Sequence, residues 1–275
     1  MKRMLNVGDG VGGTRAVAPR EHRLQYGLSP RRPRGQGLRP TDKVGQRRVP
    51  ASAAPLTALD TATVDKRRVV AIALPIVLPA AMCATFAVTR DRFGDHIGYL
   101  AGFGAYWATC AGTALSLLGR ADARRSFRST RPRLARPVAM GAVLLLWPPV
   151  GAIATRFLPE VGGADLTMIV TIASVGVVNA VLEELLWRGV YIELWPDDPW
   201  LGWVWPALGF GAWHLAPQII HPSSMGSIPY AISATLLGLS WGCVAWRTKS
   251  LRYVGLSHAL TDGSGIRNAV FFLGA

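Results

Sequence analysis

From Pro199 to Trp246 the chain contains no Lys, Arg, Asp or Glu. A helix crosses a bilayer with ~20 residues, so this run is too long for one span. It divides at 217–227 into a fifth and a sixth apolar segment. Four uncharged runs precede it, at 69–89, 97–119, 137–155 and 166–182. A seventh segment, 251–275, follows and contains Arg252, Asp262 and Arg267. Charged residues make up 17% of the chain, against about 25% in soluble domains. Inside a bilayer every backbone polar group must be satisfied within the protein, which favours helices. The expectation is an all-α, multi-pass transmembrane helical bundle of about seven spans, with the lipid bilayer as its solvent.

The formal charge of +14 is unevenly placed. Residues 1–66 are basic, rich in Pro, Gly and Arg, and lack an apolar period. Such a segment buries too little surface to offset its chain entropy, so it reads as a disordered tail. No apolar stretch closely follows Lys2 and Arg3, so the start does not read as a signal peptide. The remaining organisation reads as three N-terminal transmembrane helices over 67–160 and a core over 161–275. The loop 120–136 holds Arg120, Arg124, Arg125, Arg128, Arg131, Arg133 and Arg136, and Arg247, Lys249 and Arg252 follow the sixth segment. The positive-inside rule makes both cytoplasmic, with the N-terminus inside and the protein in the cell membrane. A nucleic-acid patch would interleave aromatics with the arginines, and this loop offers only Phe127. No nucleic-acid partner is expected. Cys83, Cys110 and Cys243 lie in apolar runs without a CxxC spacing, which gives neither a disulfide framework nor a thiolate metal site.

Charged groups at mid-bilayer cost at least ~2.5–3.5 kcal/mol on insertion scales, so those present need a reason. Three places stand out. Asn179, Glu183, Glu184 and Arg188 end the fourth segment. Successive helical residues point about 100° apart, so the two glutamates face different ways. Glu184 and Arg188 are four apart and can pair, which leaves Glu183 on the face of Asn179 with no charged partner. For Glu184 and Arg188 an interfacial charge cluster explains the pattern as well as a site does. His214 follows Phe210 by four in the fifth segment, and alone it reads as a hydrogen-bonded core residue. His258 and Asp262 are four apart in the seventh, a spacing that lets a carboxylate fix an imidazole. Together these residues supply a base, a water and a polariser for a carbonyl. They also leave open a two-histidine, one-glutamate zinc site at Glu183, His214 and His258. GxSxG and HExxH motifs are absent.

The ordered trio EExxxR (Glu183, Glu184, Arg188), FxxxH (Phe210, His214) and HxxxD (His258, Asp262) resembles the CAAX-protease-and-bacteriocin-processing family. Its members are intramembrane endopeptidases related to the type II CAAX prenyl protease. The resemblance covers about residues 166–275. It implies that Glu183 activates water together with His214, that His258 and Asp262 stabilise the oxyanion, and that Glu184 and Arg188 hold the helices as a structural ion pair. It implies no cofactor under a glutamate-activated mechanism, and zinc under the alternative one. Many members carry Asn where this chain has Asp262, which leaves that residue either protonated or orienting His258. The expected partner is a membrane-associated peptide or protein, prenylated or leader-type, because bacterial relatives need not act on prenylated proteins. Two other classes compete: a transporter whose polar residues form an ion path, and a non-catalytic scaffold or immunity protein. Convergence of Glu183, His214 and His258 within one water of each other in a cavity favours the enzyme, and their lining a continuous path across the membrane favours transport.

Overall fold

The computed structural model describes residues 57–128 and 138–274, with side chains from Lys66 onward. The tail expected over 1–66 and the arginines at 131, 133 and 136 fall wholly or mainly outside the described residues. All described elements are helical. They are α1 (Thr57–Leu118), α2 (Arg120–Arg128), α3 (Val138–Gly163), α4 (Leu166–Leu194), α5 (200–213), α6 (Ser227–Thr248), α7 (Arg252–Asp262) and the short α8 (Ala269–Leu273). Four of them, α1, α3, α4 and α6, are long and apolar enough to cross a membrane.

The first of these contains two of the expected segments. Gly94 has φ 75°, a left-handed conformation that a Cβ resists, and the helix reverses there. The two limbs then pack closely: Thr89 Oγ1 donates to Gly98 O at 2.9 Å, and a Cβ at Gly102 would sit 2.7 Å from the Phe86 ring.

The fifth and seventh segments are shorter than the runs in the sequence. Helix α5 ends at Trp213, ahead of Pro217, and α7 ends at Asp262, where Gly263 and Gly265 follow. At 1.5 Å per residue, α7 extends only about 17 Å, short of the ~30 Å hydrocarbon core.

Helix α4 begins on an Asp165 cap, whose carboxylate accepts from Met168 N at 2.8 Å. It runs through a π-turn at Leu185–Gly189, directly after the paired glutamates. Such one-residue insertions re-aim side chains and cluster at functional sites. Helix α4 packs most extensively against α7, α5 against α6 and α1, and α3 against α7. The α4–α7 crossing is close because Gly176 faces backbone: a Cβ there would meet Gly263 N at 2.8 Å.

The outer surface of the bundle is apolar. Ile76, Val143, Leu166, Val177 and Ile232 are all exposed. The interior holds large aromatics, with Trp187, Trp213, Trp241, Tyr106 and Tyr191 fully buried. This inversion of the soluble pattern, with aliphatics outward and polar-tipped aromatics inward, suits lipid as the surrounding phase.

Candidate active site

Glu183 and Glu184 are both completely buried near the end of the α-helical part of α4, and Arg188 follows in the π-turn at 2% exposure. A buried carboxylate needs partners for both oxygens, and Glu183 has them. Tyr106 Oη, from the second limb of α1, donates to Glu183 Oε1 at 2.7 Å. Asn179 Nδ2, one turn earlier on the same face, donates to Oε2 at 3.0 Å. Both donors are themselves fixed. Trp187 Nε1 donates to Tyr106 Oη at 3.0 Å, and the Trp213 ring stacks on Tyr106 at 3.5 Å between centroids. Trp107 Nε1 donates to Asn179 Oδ1 at 3.0 Å.

Glu184 faces the other way. Its Oε1 lies 3.0 Å from Arg188 Nη1, an ion pair that lacks the alignment of a hydrogen bond. The same oxygen accepts from His258 Nδ1 at 2.8 Å. The guanidinium of Arg188 also lies 4.3 Å over the Phe210 ring, a cation–π contact in a dry setting. Glu184 thus contacts both Arg188 and the imidazole of the third motif.

His258 is 1% exposed and stacks on Trp241, with centroids 4.2 Å apart. Trp241 is held in turn, because its Nε1 donates to Ser257 Oγ at 2.9 Å. A carboxylate oxygen only accepts, so the Glu184 contact puts a proton on His258 Nδ1. His258 Nε2 then points at two more carboxylates: Glu183 Oε2 and Asp262 Oδ2 each lie 3.3 Å away. Asn179 Nδ2 bridges that same pair, donating to Asp262 Oδ2 at 2.9 Å as well as to Glu183. Lone pairs converging this closely repel unless a proton or a cation lies among them. Glu183, His258 and Asp262 present ligand atoms within 4.8 Å of one another, so a metal ion would find its ligands in that set.

His214 sits apart from this knot. Its Nδ1 donates to Phe210 O at 2.7 Å, which leaves Nε2 as the acceptor nitrogen. It lines a cavity of about 590 Å³ together with Asn179, Trp213, Tyr230 and Asp262. Of the residues singled out in the sequence, Glu183, Glu184, Arg188, His258 and Asp262 form one contact cluster, and His214 stands on the wall of the cavity beside it. The ligand set expected for zinc, with His214 as a member, differs from the set whose donor atoms converge, in which Asp262 takes that place.

Tyr106, Trp107 and Trp241 were not singled out in the sequence. The first two lie inside the second apolar segment, 97–119. Their position in the middle of an uncharged run is the signal that marks them, since a phenol or indole at that depth needs a buried partner.

Residues 165–264 match the family model described as type II CAAX prenyl endopeptidase Rce1-like. Searches of curated proteins and of solved structures each found no match. The matched segment begins at the cap of α4 and ends just after Asp262, so it contains every motif residue but not Tyr106 or Trp107. Residues 165–264 are thus similar to the type II CAAX prenyl endopeptidase Rce1-like family, within a chain whose described residues include four helices long and apolar enough to cross a membrane.

Proposed function

We propose that the chain is an intramembrane endopeptidase that hydrolyses peptide bonds of membrane-associated substrates with a water activated by Glu183. The observation that carries this reading is the convergence of Glu183, His258 and Asp262 within 4.8 Å beside a cavity of about 590 Å³. In this mechanism Glu183 removes a proton from water, with the Nε2 acceptor of His214 supporting that water from the cavity wall. Doubly protonated His258 polarises the scissile carbonyl and stabilises its oxyanion. Glu184 fixes the His258 ring, and Asp262 shares the Asn179 amide with Glu183. Closing the site among Trp213, Trp241 and Phe210 excludes bulk water, which strengthens each electrostatic contact.

The reading extends to the whole chain as a seven-segment bundle with its N-terminus cytoplasmic, a basic tail over 1–66, three preceding helices over 67–160 and the catalytic core over 161–275. No metal is required in this mechanism.

The test is cleavage of membrane-anchored peptides by purified protein and by Glu183→Gln in detergent. Products from the wild type that disappear in the variant support the reading. Equal cleavage by both proteins removes Glu183 from the chemistry.

A further inference from the structure

Two groups of contacts define the ends of the bundle. At the first end, Arg68 Nη2 donates to Leu194 O at 3.3 Å, Leu251 N donates to Ser126 O at 3.0 Å, and Lys249 Nζ donates to Pro196 O. These gather the start of α1, helix α2, the end of α4 and the α6–α7 turn. At the second end, Arg90 Nη1 donates to Ile219 O at 3.1 Å, and Arg267 N donates to Glu160 Oε2 at 3.0 Å. These gather the Gly94 turn, the end of α3, the 217–226 loop and the residues after α7.

The ends differ in charge. Among residues with described side chains, the first end has ten Lys or Arg: three in 66–68, four in α2 and three in 247–252. Its acids are Asp122, Glu193, Asp197 and Asp198, which leaves a formal +6. The second end sets Arg90, Arg92, Arg156 and Arg267 against Asp91, Asp95, Glu160 and Asp165, a formal zero.

Helix α2 carries the largest share of that excess. Gly119, at φ 77°, turns the chain out of α1. Helix α2 then packs on the bundle with Ala123 buried, and a Cβ at Gly255 would sit 3.4 Å from the Phe127 ring. Arg120, Arg124 and Arg128, each four residues apart, form an exposed stripe. None of the three makes an ion pair among the described residues, whereas Arg125 pairs with Asp122. The cleft of about 280 Å³ between α2 and the α6–α7 turn places Arg125 and Lys249 beside Asp122 and Glu193. Its charges are matched, so the excess lies on the outer face.

Apolar surface starts at once beside these cations. Val69, directly after Arg68, is 67% exposed, and Trp200 and Tyr253 at the same end are 55% and 39% exposed. Exposed Trp and Tyr sit at the headgroup layer of a bilayer. A partner for this end therefore has to be anionic and has to lie at the edge of the hydrocarbon. A soluble acidic partner meets the first condition and a phospholipid headgroup meets both.

We infer that the first end of the bundle docks on anionic phospholipid headgroups, with the Arg120, Arg124 and Arg128 stripe of α2 as the principal contact. This needs only the membrane-spanning helices and not the peptidase reading, and it specifies the headgroup, not the side of the membrane.

The test melts full-length protein in detergent with increasing short-chain phosphatidylglycerol. It compares the wild type with Arg120→Gln/Arg124→Gln/Arg128→Gln and with Arg92→Gln/Arg267→Gln from the second end. Each melting temperature is read against the same protein without lipid, so differences in basal stability drop out. A ligand that binds only the folded state raises the midpoint with its concentration. The wild type and the second-end variant should shift alike, and the α2 variant should need roughly 100-fold more lipid, from the contribution of each cation near an anionic surface. Added salt should suppress the wild-type shift. An equal shift with phosphatidylcholine or with soluble glycerol phosphate overturns the headgroup assignment. So does a wild-type shift indifferent to salt, with no variant needed. An undiminished shift in the α2 variant, or an equal loss in the second-end variant, overturns the placement on α2.

Discussion

Tyr106 donates its phenolic hydrogen to Glu183 at 2.7 Å across a sequence separation of 77 residues. The donor comes from the hairpin of α1, outside the family-matched segment, and the acceptor is the residue proposed to activate water. The hairpin is thereby part of the site and not only an anchor.

Tyr106→Phe should leave the bundle folded but deprive Glu183 Oε1 of its donor and Trp187 Nε1 of its acceptor. Hydrogen bonds to charged groups contribute about 1.5–3 kcal/mol. The expected loss is at least tenfold in kcat with KM little changed, because the phenol touches the base and not the substrate. Steady-state kinetics on any verified peptide, alongside a melting curve, checks this. An unchanged kcat removes Tyr106 from the positioning role.

The adjacent glutamates should fail in different ways. Glu183→Gln keeps shape and loses the base, so activity should fall at least ~100-fold while the melting temperature stays near that of the wild type. Glu184→Gln removes the anion between Arg188 and His258. Breaking a buried ion pair on one side costs about 3–5 kcal/mol, so the yield of folded protein should drop along with activity. Thermal stability measured beside turnover decides the matter. A destabilised Glu183→Gln paired with a stable, inactive Glu184→Gln would reverse the two roles.

The helical, membrane-embedded character of the chain was legible because runs such as 166–182 leave a backbone no solvent but itself. The Glu184–Arg188 spacing likewise announced a local pair. Two things were not legible. Glu183 looked partnerless because Tyr106 comes from a distant helix, and a tyrosine inside an apolar run does not name its acceptor. Asp262, four residues away, does lie 3.3 Å from His258 Nε2, but no spacing along the chain put Glu184 on the other ring nitrogen. The imidazole turns its Nδ1 to Glu184 on another helix, and only the α4–α7 packing reveals that. Spacing along one helix proposes contacts, and crossing geometry chooses among them.

Chelation should leave the activity intact. The proposed base is a carboxylate with two hydrogen-bond donors already in place, and the mechanism routes no step through an ion. Activity assayed after purification with chelator, with metal content measured on the same sample, tests this. Stoichiometric zinc, with activity lost on its removal and restored on its return, would establish a metalloenzyme. Its ligands would then be sought at Glu183, His258 and Asp262, whose donor atoms converge, with His214 outside the set.

The role of Asp262 can be separated from those of its neighbours. His258 is held by Glu184 at Nδ1 and by the Trp241 ring face, so the contact of Asp262 with Nε2 at 3.3 Å is one of several that place the imidazole. Asp262 accepts one hydrogen of the Asn179 amide while Glu183 accepts from the same nitrogen. In Asp262→Asn the new amide can still offer its oxygen to Asn179, and the cluster loses one of the two carboxylates that face His258 Nε2. Folded yield should therefore be kept. The change amounts to about one hydrogen bond, ~1 kcal/mol, so the rate should fall by no more than about tenfold. Asp262→Ala, which leaves Asn179 with a single acceptor, should be slower than Asp262→Asn. The ranking of rates, wild type above Asp262→Asn, then Asp262→Ala, then Glu183→Gln, is the measurement. If Asp262→Asn is as inactive as Glu183→Gln while remaining folded, the carboxylate of Asp262 is itself required for the chemistry, and the division of roles between the two acids proposed here is wrong.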